Sequence, residues 1–214
     1  MKKTLGVAII GQGRSGRNIH GKYLLTDQDR FKVVAVVDAI GRRRERAVEE
    51  YGCEAYEDYH ELLKRKDIDL VVNSSFSHLH CPITIDLLSH GFNVLTEKPA
   101  AKTAEEVQSM IDASKRGNCM FAVFQQSRFA PYFEKVKSIL DSGVLGRAVQ
   151  VSIAFSGFKR RWGTGSAVRI TWEAACIIRG LIRWTRRSIY SILKSRKYSA
   201  RWTEPIPSAM RRIM

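Results

Sequence analysis

The feature that most constrains this chain is a glycine-rich turn between two apolar runs. Residues 7–10 (VAII) lead directly into the sequence GQGRSG at positions 11–16. The second run, residues 31–37, ends in Asp38, which lies 22 residues after Gly16. Dinucleotide-binding βαβ units have this order of strand, glycine turn, helix, strand and acid. The alternative is a glycine-rich turn of an unrelated α/β protein, and the complete order favours the nucleotide site.

Each glycine of the turn has its own physical task in such a unit. Gly11 allows the tight turn, Gly13 lets the backbone approach a pyrophosphate, and Gly16 lets the helix pack close to the strand. The helix N-terminus can then point free N–H groups at the phosphates. Asp38 is placed to accept hydrogen bonds from the adenosine ribose. The candidate cofactor-binding residues of the turn are Gly11, Gln12, Gly13, Arg14, Ser15 and Gly16.

Strand and helix patterns alternate along the first part of the chain at βαβ spacing. The predicted strands are residues 5–10, 32–37, 70–73, 93–96 and 120–123, and the predicted helices are 16–25, 42–51, 80–90 and 104–116. The run 33–37 is almost entirely β-branched or apolar, as in strands covered on both faces. We therefore predict an α/β fold, a doubly wound parallel sheet of the Rossmann type, with the ligand at the carboxyl ends of the strands.

The pattern changes after residue 124. Residues 131–142 form an amphipathic pattern closed by Gly143, and residues 148–155 alternate as the first strand of a new sheet. These patterns predict a Rossmann domain over residues 1–124 and the start of an α+β second domain over residues 125–162.

Composition limits the class of protein. Hydrophobic content of 44% with 27% charged residues is typical of a globular chain. No apolar run approaches the roughly 18 residues that a membrane span requires, and the N-terminus has no secretory pattern. The four cysteines form no C-x-x-C pair, which favours reduced thiols in a cytoplasmic protein over zinc or disulfides. They are Cys53, Cys81, Cys119 and Cys176.

The sequence Glu97-Lys98-Pro99 follows the strand at 93–96, so Lys98 is expected at the carboxyl edge of the sheet. A lysine there can hydrogen-bond a substrate hydroxyl and assist its proton transfer. The alternative is a solvated lysine in a turn that Pro99 imposes, and the spacing alone does not decide between the two.

The five histidines fall into two groups. His78 and His80 follow the strand at 70–73, which favours a structural or cofactor-adjacent role over catalysis. His20, His60 and His90 lie within or at the ends of predicted helices and are expected on the surface.

Three arginines follow Asp38 closely, at residues 42–44. An arginine such as Arg42 can bind the 2′-phosphate of NADP, whereas Asp38 repels that phosphate and favours NAD. A solvated first helical turn would also explain them. We expect NAD as the cofactor, with NADP possible.

Several of these motifs together resemble the Gfo/Idh/MocA oxidoreductases, the family of glucose–fructose oxidoreductase and inositol dehydrogenase. The similarity extends over residues 4–162, and Phe76-Ser77 departs from it where the family usually carries Pro-Asn. The matching segments are residues 11–16, Asp38, His80, Glu97-Lys98-Pro99, Arg128-Phe129 with Pro131, and residues 143–146.

The resemblance implies an NAD(P)-dependent oxidoreductase of the sugar and cyclitol type, with a homo-oligomeric assembly in intact relatives. It implies that Gly11, Gly13 and Gly16 bind the pyrophosphate, that Asp38 binds the adenosine ribose, and that Lys98 is the catalytic lysine. No metal is implied. The remaining cofactor-binding candidates are Arg42, Ser75, His80, Glu97 and Lys98.

The last quarter of the chain departs from the family. Residues 163–214 hold eleven lysines and arginines against two acids, in a chain of net charge +15. Family members continue with a second domain and a Gly-x-His-x-x-Asp motif whose His acts as acid and base. No such motif follows Trp162.

The genetic code suggests why. Joining the third base of each codon to the first two bases of the next gives glycine at the junction of Trp172 and Glu173, and aspartate at that of Trp184 and Thr185. The junctions between them permit Gly-Gly-Ser-Leu-Tyr-Asn-Thr-Gly-Pro-His-Pro-Val-Asp, which carries the missing motif. We therefore expect residues 163–214 to be an out-of-frame translation, with very low turnover by this chain. The alternative is a genuine basic extension.

Two other functional hypotheses remain at this point. The first is a dinucleotide-binding protein without catalysis, which the missing motif favours. The second is a nucleic-acid binder that uses the basic residues 179–187 and 194–201; cationic segments with aromatics bind phosphates and stack bases. No recognised nucleic-acid-binding module surrounds these segments, which makes the second hypothesis the weaker one.

Overall fold

The computed structural model describes residues 3–146. Its six strands form one parallel sheet in the order β3-β2-β1-β4-β5-β6. From the central β1 the chain builds outward to one edge and then returns to build to the other, which is the doubly wound Rossmann order. The predicted fold class is confirmed. The strands are β1 (Leu5–Ile10), β2 (Phe31–Val37), β3 (Glu54–Tyr56), β4 (Leu70–Asn73), β5 (Val94–Glu97) and β6 (Phe121–Phe124).

Both faces of the sheet are covered. In β1, Ala8 and Ile10 belong to one cluster of buried apolar residues, and Val7 and Ile9 belong to another. Successive side chains of a strand point to opposite faces, so the two clusters lie on opposite sides of the sheet. Continuous apolar strands are the sequence consequence of this double burial.

The helices alternate with the strands as the spacing predicts. The helix α4 has its N-cap at Thr103, whose Oγ1 accepts a hydrogen bond from Glu106 N at 3.2 Å. It ends at Asn118, which adopts the left-handed conformation that closes many helices. The α-helices are α1 (Lys22–Thr26), α2 (Gly41–Tyr51), α3 (His80–Ser89), α4 (Ala104–Gly117) and α5 (Pro131–Asp141).

Two parts of this topology differ from the sequence prediction. The strand β3 was not predicted, because its three residues carry no alternation and gain their order by pairing with β2. The predicted helix at 16–25 consists of a π-helical turn, Gly16–Gly21, followed by α1. The 3₁₀ turns at Tyr59–Lys64 and Ser77–Leu79 complete this part of the chain.

The first compact unit of the chain ends at Phe124. Beyond it, a 3₁₀ turn at Gln126–Phe129 precedes α5, which confirms the helix predicted from residue 131, and Gly143 has a positive φ of 70°. The strand predicted at 148–155 and the basic segment 163–214 lie outside the described residues. No helix within residues 3–146 is long and apolar enough to cross a bilayer.

Candidate functional site

Four strands bring the predicted site residues to one edge of the sheet. Ile10 at the end of β1 is in register with Val37 of β2 and with Asn73 of β4. Asn73 is in turn in register with Thr96 of β5. The segments that follow these strands therefore leave the sheet side by side, and they carry the glycine turn, Asp38, Ser75 and Lys98.

The glycine turn combines close packing with one open position. Gly11 has a positive φ of 88°, a conformation that L side chains rarely adopt. A Cβ at Gly16 would overlap with the carbonyl oxygen of Gly11, so the helix and the turn could not pack as they do. At Gly13, by contrast, the nearest described atom to such a Cβ is Nη1 of Arg43, at 4.0 Å. The backbone at Gly13 is thus open to a ligand, as a pyrophosphate site requires.

The helix that follows the turn begins immediately after Gly13. The N–H of Arg17 donates to the carbonyl oxygen of Gly13 at 3.0 Å, the first bond of the helical ladder. The preceding N–H groups of a helix have no intrahelical acceptor and carry the positive end of its dipole. Arg14, which is exposed, and Ser15, which is half-buried, belong to this first turn.

Asp38 is buried between the glycine turn and the start of α2. Its Oδ2 accepts a hydrogen bond from Gln12 N at 2.7 Å, and its Oδ1 accepts one from Ile40 N at 2.9 Å. Nη1 of Arg43 lies 3.3 Å from Oδ2. Oδ2 therefore already faces two donors, whereas Oδ1 keeps a second lone pair that can accept a ribose hydroxyl.

The loop after β4 is fastened to the glycine turn and to α3. The hydroxyl of Ser74 donates to the carbonyl oxygens of Ile10 and Gly11, at 2.7 and 2.9 Å. The buried amide of Asn73 accepts from the Ser75 hydroxyl at 2.7 Å and donates to Thr84 Oγ1 at 3.1 Å. These bonds fix the position of Ser75 beside the turn.

His80 joins this loop to the segment after β5. It is 2% exposed, with Nδ1 2.7 Å from the carbonyl oxygen of Pro99 and Nε2 3.1 Å from that of Ser75. Burial lowers the pKa of His80 below its usual value, against the opposing effect of the two carbonyl oxygens and Glu97. A neutral ring donates from one nitrogen only, and the shorter distance assigns that hydrogen to Pro99.

The sequence Glu97-Lys98-Pro99 turns away from the sheet at the end of β5. Oε2 of the buried Glu97 accepts a hydrogen bond from Lys98 N at 3.2 Å, and Oε1 lies 3.0 Å from Nε2 of His20. Lys98 is half-buried at this edge. An amine at this edge of the sheet can form a hydrogen bond with the hydroxyl of a bound substrate.

Comparison with known proteins agrees with this geometry. Residues 5–125 match the family model described as "Oxidoreductase family, NAD-binding Rossmann fold", that of GFO_IDH_MocA. The chain belongs to the Gfo/Idh/MocA family. This match confirms the predicted resemblance and the predicted class of cofactor, a nicotinamide dinucleotide.

Relatives of this Gfo/Idh/MocA chain include several inositol dehydrogenases. Inositol 2-dehydrogenase of Salmonella typhimurium is 32% identical over 151 residues, which are 69% of this chain and 45% of the relative. The crystal structure of myo-inositol 2-dehydrogenase from Lactobacillus plantarum matches with a TM-score of 0.64 and 29% identity, over 69% of this chain and 44% of that chain. The chain therefore spans less than half the length of these relatives.

A further structural match to this Gfo/Idh/MocA chain carries bound ligands. The WlbA dehydrogenase of Chromobacterium violaceum, in complex with NADH and UDP-GlcNAcA, matches with a TM-score of 0.64 and 27% identity. The match covers 69% of this chain and 42% of that chain.

One histidine prediction for this chain is wrong. His20, predicted on the surface, is buried. The other buried residues of its helical turn are Gly16 and Gly21, and glycines give no hydrophobic pattern from which a buried face could be predicted. His60 and His90 are exposed, as predicted. Of the arginines after Asp38, the structure brings Arg43 to the carboxylate, and the candidate Arg42 is exposed.

The described residues of this Gfo/Idh/MocA chain hold no group of three or more His, Cys, Asp or Glu placed to bind a metal ion. Within the same residues, Cys53, Cys81 and Cys119 are free thiols.

Proposed function

We propose that this chain binds a nicotinamide dinucleotide at the edge formed by β1, β2, β4 and β5, and that it derives from an oxidoreductase acting on a sugar or cyclitol. The observation that carries the proposal is the combination of an open backbone at Gly13 with a buried Asp38 bonded to the adjacent Gln12. Gly11 and Gly16 support the turn, and a ligand meets the turn at Gly13.

The glycine turn and the helix after it would hold the pyrophosphate through backbone N–H groups, with Asp38 on the adenosine ribose. A buried carboxylate repels a 2′-phosphate, so NAD is the preferred cofactor. Arg43 moderates this preference, because its guanidinium lies at the Asp38 carboxylate. Arg42, which is exposed near the start of α2, stays a candidate for binding a 2′-phosphate. The residues proposed to form the cofactor site are Gly11, Gln12, Gly13, Arg14, Ser15, Gly16, Asp38, Ser75, His80, Glu97 and Lys98.

The bound nicotinamide supplies the acceptor or donor of a hydride. Within this part of the chain, Lys98 would carry out the proton transfer. Its side-chain amine holds the substrate hydroxyl at the nicotinamide end and takes or returns the hydroxyl proton. Relatives whose names specify inositols support a sugar or cyclitol as the proposed substrate class.

Binding and catalysis are tested separately. We expect saturable NADH binding by the full chain, measured by NADH fluorescence, with NAD competing better than NADP. No saturable binding by the folded chain would overturn the proposal. The same samples are assayed for NAD-dependent oxidation of myo-inositol. Here we expect turnover to be very low, because residues 1–214 contain no Gly-x-His-x-x-Asp motif.

The missing motif also favours a second candidate, a dinucleotide-binding protein without catalysis. The two candidates differ in one measurement. If myo-inositol or a related cyclitol binds only when NADH is present, the substrate site of a dehydrogenase persists. If NADH binding stays independent of every cyclitol tested, the chain is a binding protein alone.

We also propose that residues 125–162 begin a second domain and that residues 163–214 come from a shifted frame. The test is the DNA sequence of codons 155–190. A shifted frame that spells Gly-Pro-His-Pro-Val-Asp and continues open would support it. An unrelated shifted sequence would make the basic segment a genuine extension, and salt-dependent RNA or DNA binding would then be measured.

A further inference from the structure

Two buried histidines contact the two residues that flank Lys98 in the sequence, Glu97 and Pro99. His20 comes from the π-helical turn after the glycine-rich sequence, and His80 begins α3. They contact the residues before and after Lys98 from different elements of the fold. Neither histidine takes part in the proposed proton transfer.

His20 contacts Glu97, the residue that precedes Lys98. Nε2 of His20 lies 3.0 Å from Oε1 of Glu97, and both side chains are 7% exposed. The other carboxylate oxygen of Glu97 accepts the backbone N–H of Lys98 at 3.2 Å. The Glu97 carboxylate therefore connects the ring of His20 to the backbone of Lys98.

Packing holds the ring of His20 in place. The ring of Phe124, at the end of β6, lies 4.5 Å from the His20 ring, centroid to centroid, at an interplanar angle of 60°. Tilted aromatic pairs at this separation are favourable. His20 is thus fixed by residues at the ends of two neighbouring strands, β5 and β6.

The second histidine acts on the C-terminal side. Nδ1 of His80 is 2.7 Å from the carbonyl oxygen of Pro99, the residue after Lys98. Its other ring nitrogen is 3.1 Å from the carbonyl oxygen of Ser75. The position of Pro99 is therefore tied to α3 and to the loop after β4.

We propose that His20 and His80 are positioning residues that clamp the backbone on both sides of Lys98 and so fix where its amine meets the substrate. The proposal rests on the proposed function of Lys98. A displacement of about 1 Å can reduce a rate by roughly 100-fold, which gives such a clamp a functional purpose. His20 also lies in the helical segment that would bind the pyrophosphate, so the same segment positions both cofactor and lysine.

The clamp makes a specific prediction about ring protons. A carboxylate and a carbonyl oxygen only accept hydrogen bonds. His20 must therefore carry a proton on Nε2. A neutral His80 has a carbonyl oxygen near each ring nitrogen, and it donates its single proton from Nδ1 to the nearer oxygen, that of Pro99. We expect ¹⁵N NMR of the full chain labelled at histidine to show these two different protonation patterns. An unprotonated Nε2 at His20, or an unprotonated Nδ1 at His80, would overturn the clamp on that side.

A second measurement follows Lys98 itself. Lysines are labelled by reductive ¹³C-methylation, and the Lys98 resonance is identified by its loss in Lys98→Arg. We expect His20→Phe to shift this resonance, because Phe fills the space but leaves Glu97 without its donor. His20→Gln, which keeps a donor, should return it towards the wild-type position, and His90→Phe at an exposed histidine should leave it unchanged.

The outcomes separate the inference from the proposed function. An unchanged Lys98 resonance in folded His20→Phe, or no difference between the Phe and Gln variants, would refute the clamp even where NADH binds normally. Absence of NADH binding in the wild type would refute the proposed function and leave the ring protons unaffected. If His20→Phe does not fold, the wild-type ring protons and the Gln variant decide.

Discussion

The carboxylate of Asp38 accepts a hydrogen bond from the backbone N–H of Gln12 at 2.7 Å, which joins the end of β2 to the glycine turn after β1. The same oxygen lies 3.3 Å from Nη1 of Arg43. A negative group that prefers ribose hydroxyls is thus adjacent to a positive group suited to a phosphate. We expect the balance between these two residues to set the choice of dinucleotide.

Replacing Asp38 with Ala should weaken NAD binding and strengthen NADP binding relative to it. Loss of hydrogen bonds to a charged acceptor costs about 1.5–3 kcal/mol, which is roughly 10- to 100-fold in Kd. Removing the carboxylate also removes its repulsion of the 2′-phosphate and releases Arg43. The Kd values of both cofactors are measured by calorimetry on the full chain.

Arg43→Ala is the matched variant for this test. It should leave NAD binding almost unchanged and reduce the NADP binding gained in the Asp38→Ala background. An unchanged ratio of NAD to NADP affinity in Asp38→Ala would contradict the assignment of Asp38 to the ribose.

Two glycines of the same turn should respond oppositely to Ala. At Gly13 the added Cβ meets no described atom closer than 4.0 Å, so stability should change by no more than about 0.5 kcal/mol. NADH binding should nevertheless weaken, since the methyl group enters the space for the pyrophosphate. At Gly16 the Cβ would overlap with the Gly11 carbonyl oxygen, and overpacking of this kind costs about 1–3 kcal/mol.

Urea unfolding and NADH titration of the two variants distinguish the roles. Gly13→Ala with full NADH affinity would place the ligand elsewhere. Gly16→Ala with wild-type stability would show that the helix and the turn can separate without cost.

The sequence predicted the strands best where a continuous apolar run marks burial on both faces of the sheet. The strands β1, β2 and β4 are mostly apolar runs rich in β-branched residues. The glycines of residues 11–16 indicate the turn between β1 and β2. The sequence was silent on β3, whose three residues are ordered by their neighbour. Contacts between distant segments were equally invisible, because nothing local to His80 indicates that Pro99 will lie 2.7 Å from its ring.

The arginine at the Asp38 carboxylate shows a limit of a different kind. The triplet at residues 42–44 was recognised, but its member at the site depends on where α2 begins. The helix begins at Gly41, and this phase directs Arg43 to the carboxylate. A shift of one residue in a helix turns a side chain by about 100°, which patterns of charge alone do not resolve.

The side chain of Gln12 allows a test of how a buried amide affects the stability of the fold. It is 1% exposed, and neither amide atom has a hydrogen-bond partner among the described residues. Gln12→Met keeps the volume and the backbone bonds, so stability should be equal or higher by up to about 1 kcal/mol. Asn73→Leu is the contrast, since its amide bonds Ser75 and Thr84, and it should cost about 1–3 kcal/mol.

Thermal and urea unfolding of both variants provide the measurement. A clear loss of stability in Gln12→Met would show that its amide is hydrogen-bonded in the folded protein. A neutral Asn73→Leu would show that the bonds of Asn73 to its neighbours contribute little.

The buried His80 should make stability depend on pH just below neutrality. Burial lowers the pKa of His80 from 6.5, so in that range the unfolded chain binds a proton that the folded chain does not. Its contribution is therefore complete above about pH 6.5 and is lost as the pH falls through the folded-state value. The opposite slope would require His80 to be stabilised in its charged form.

The ion-paired carboxylates titrate in a lower range than His80. Asp69 and Glu50 have pKa values lowered from 3.8 and 4.5 by Lys3 and Arg17, so their contributions are lost only in stronger acid. We expect His80→Gln to reduce the slope of unfolding free energy below about pH 6.5, while His90→Gln, at an exposed site, retains it. A slope that survives in His80→Gln would assign the titration to another group.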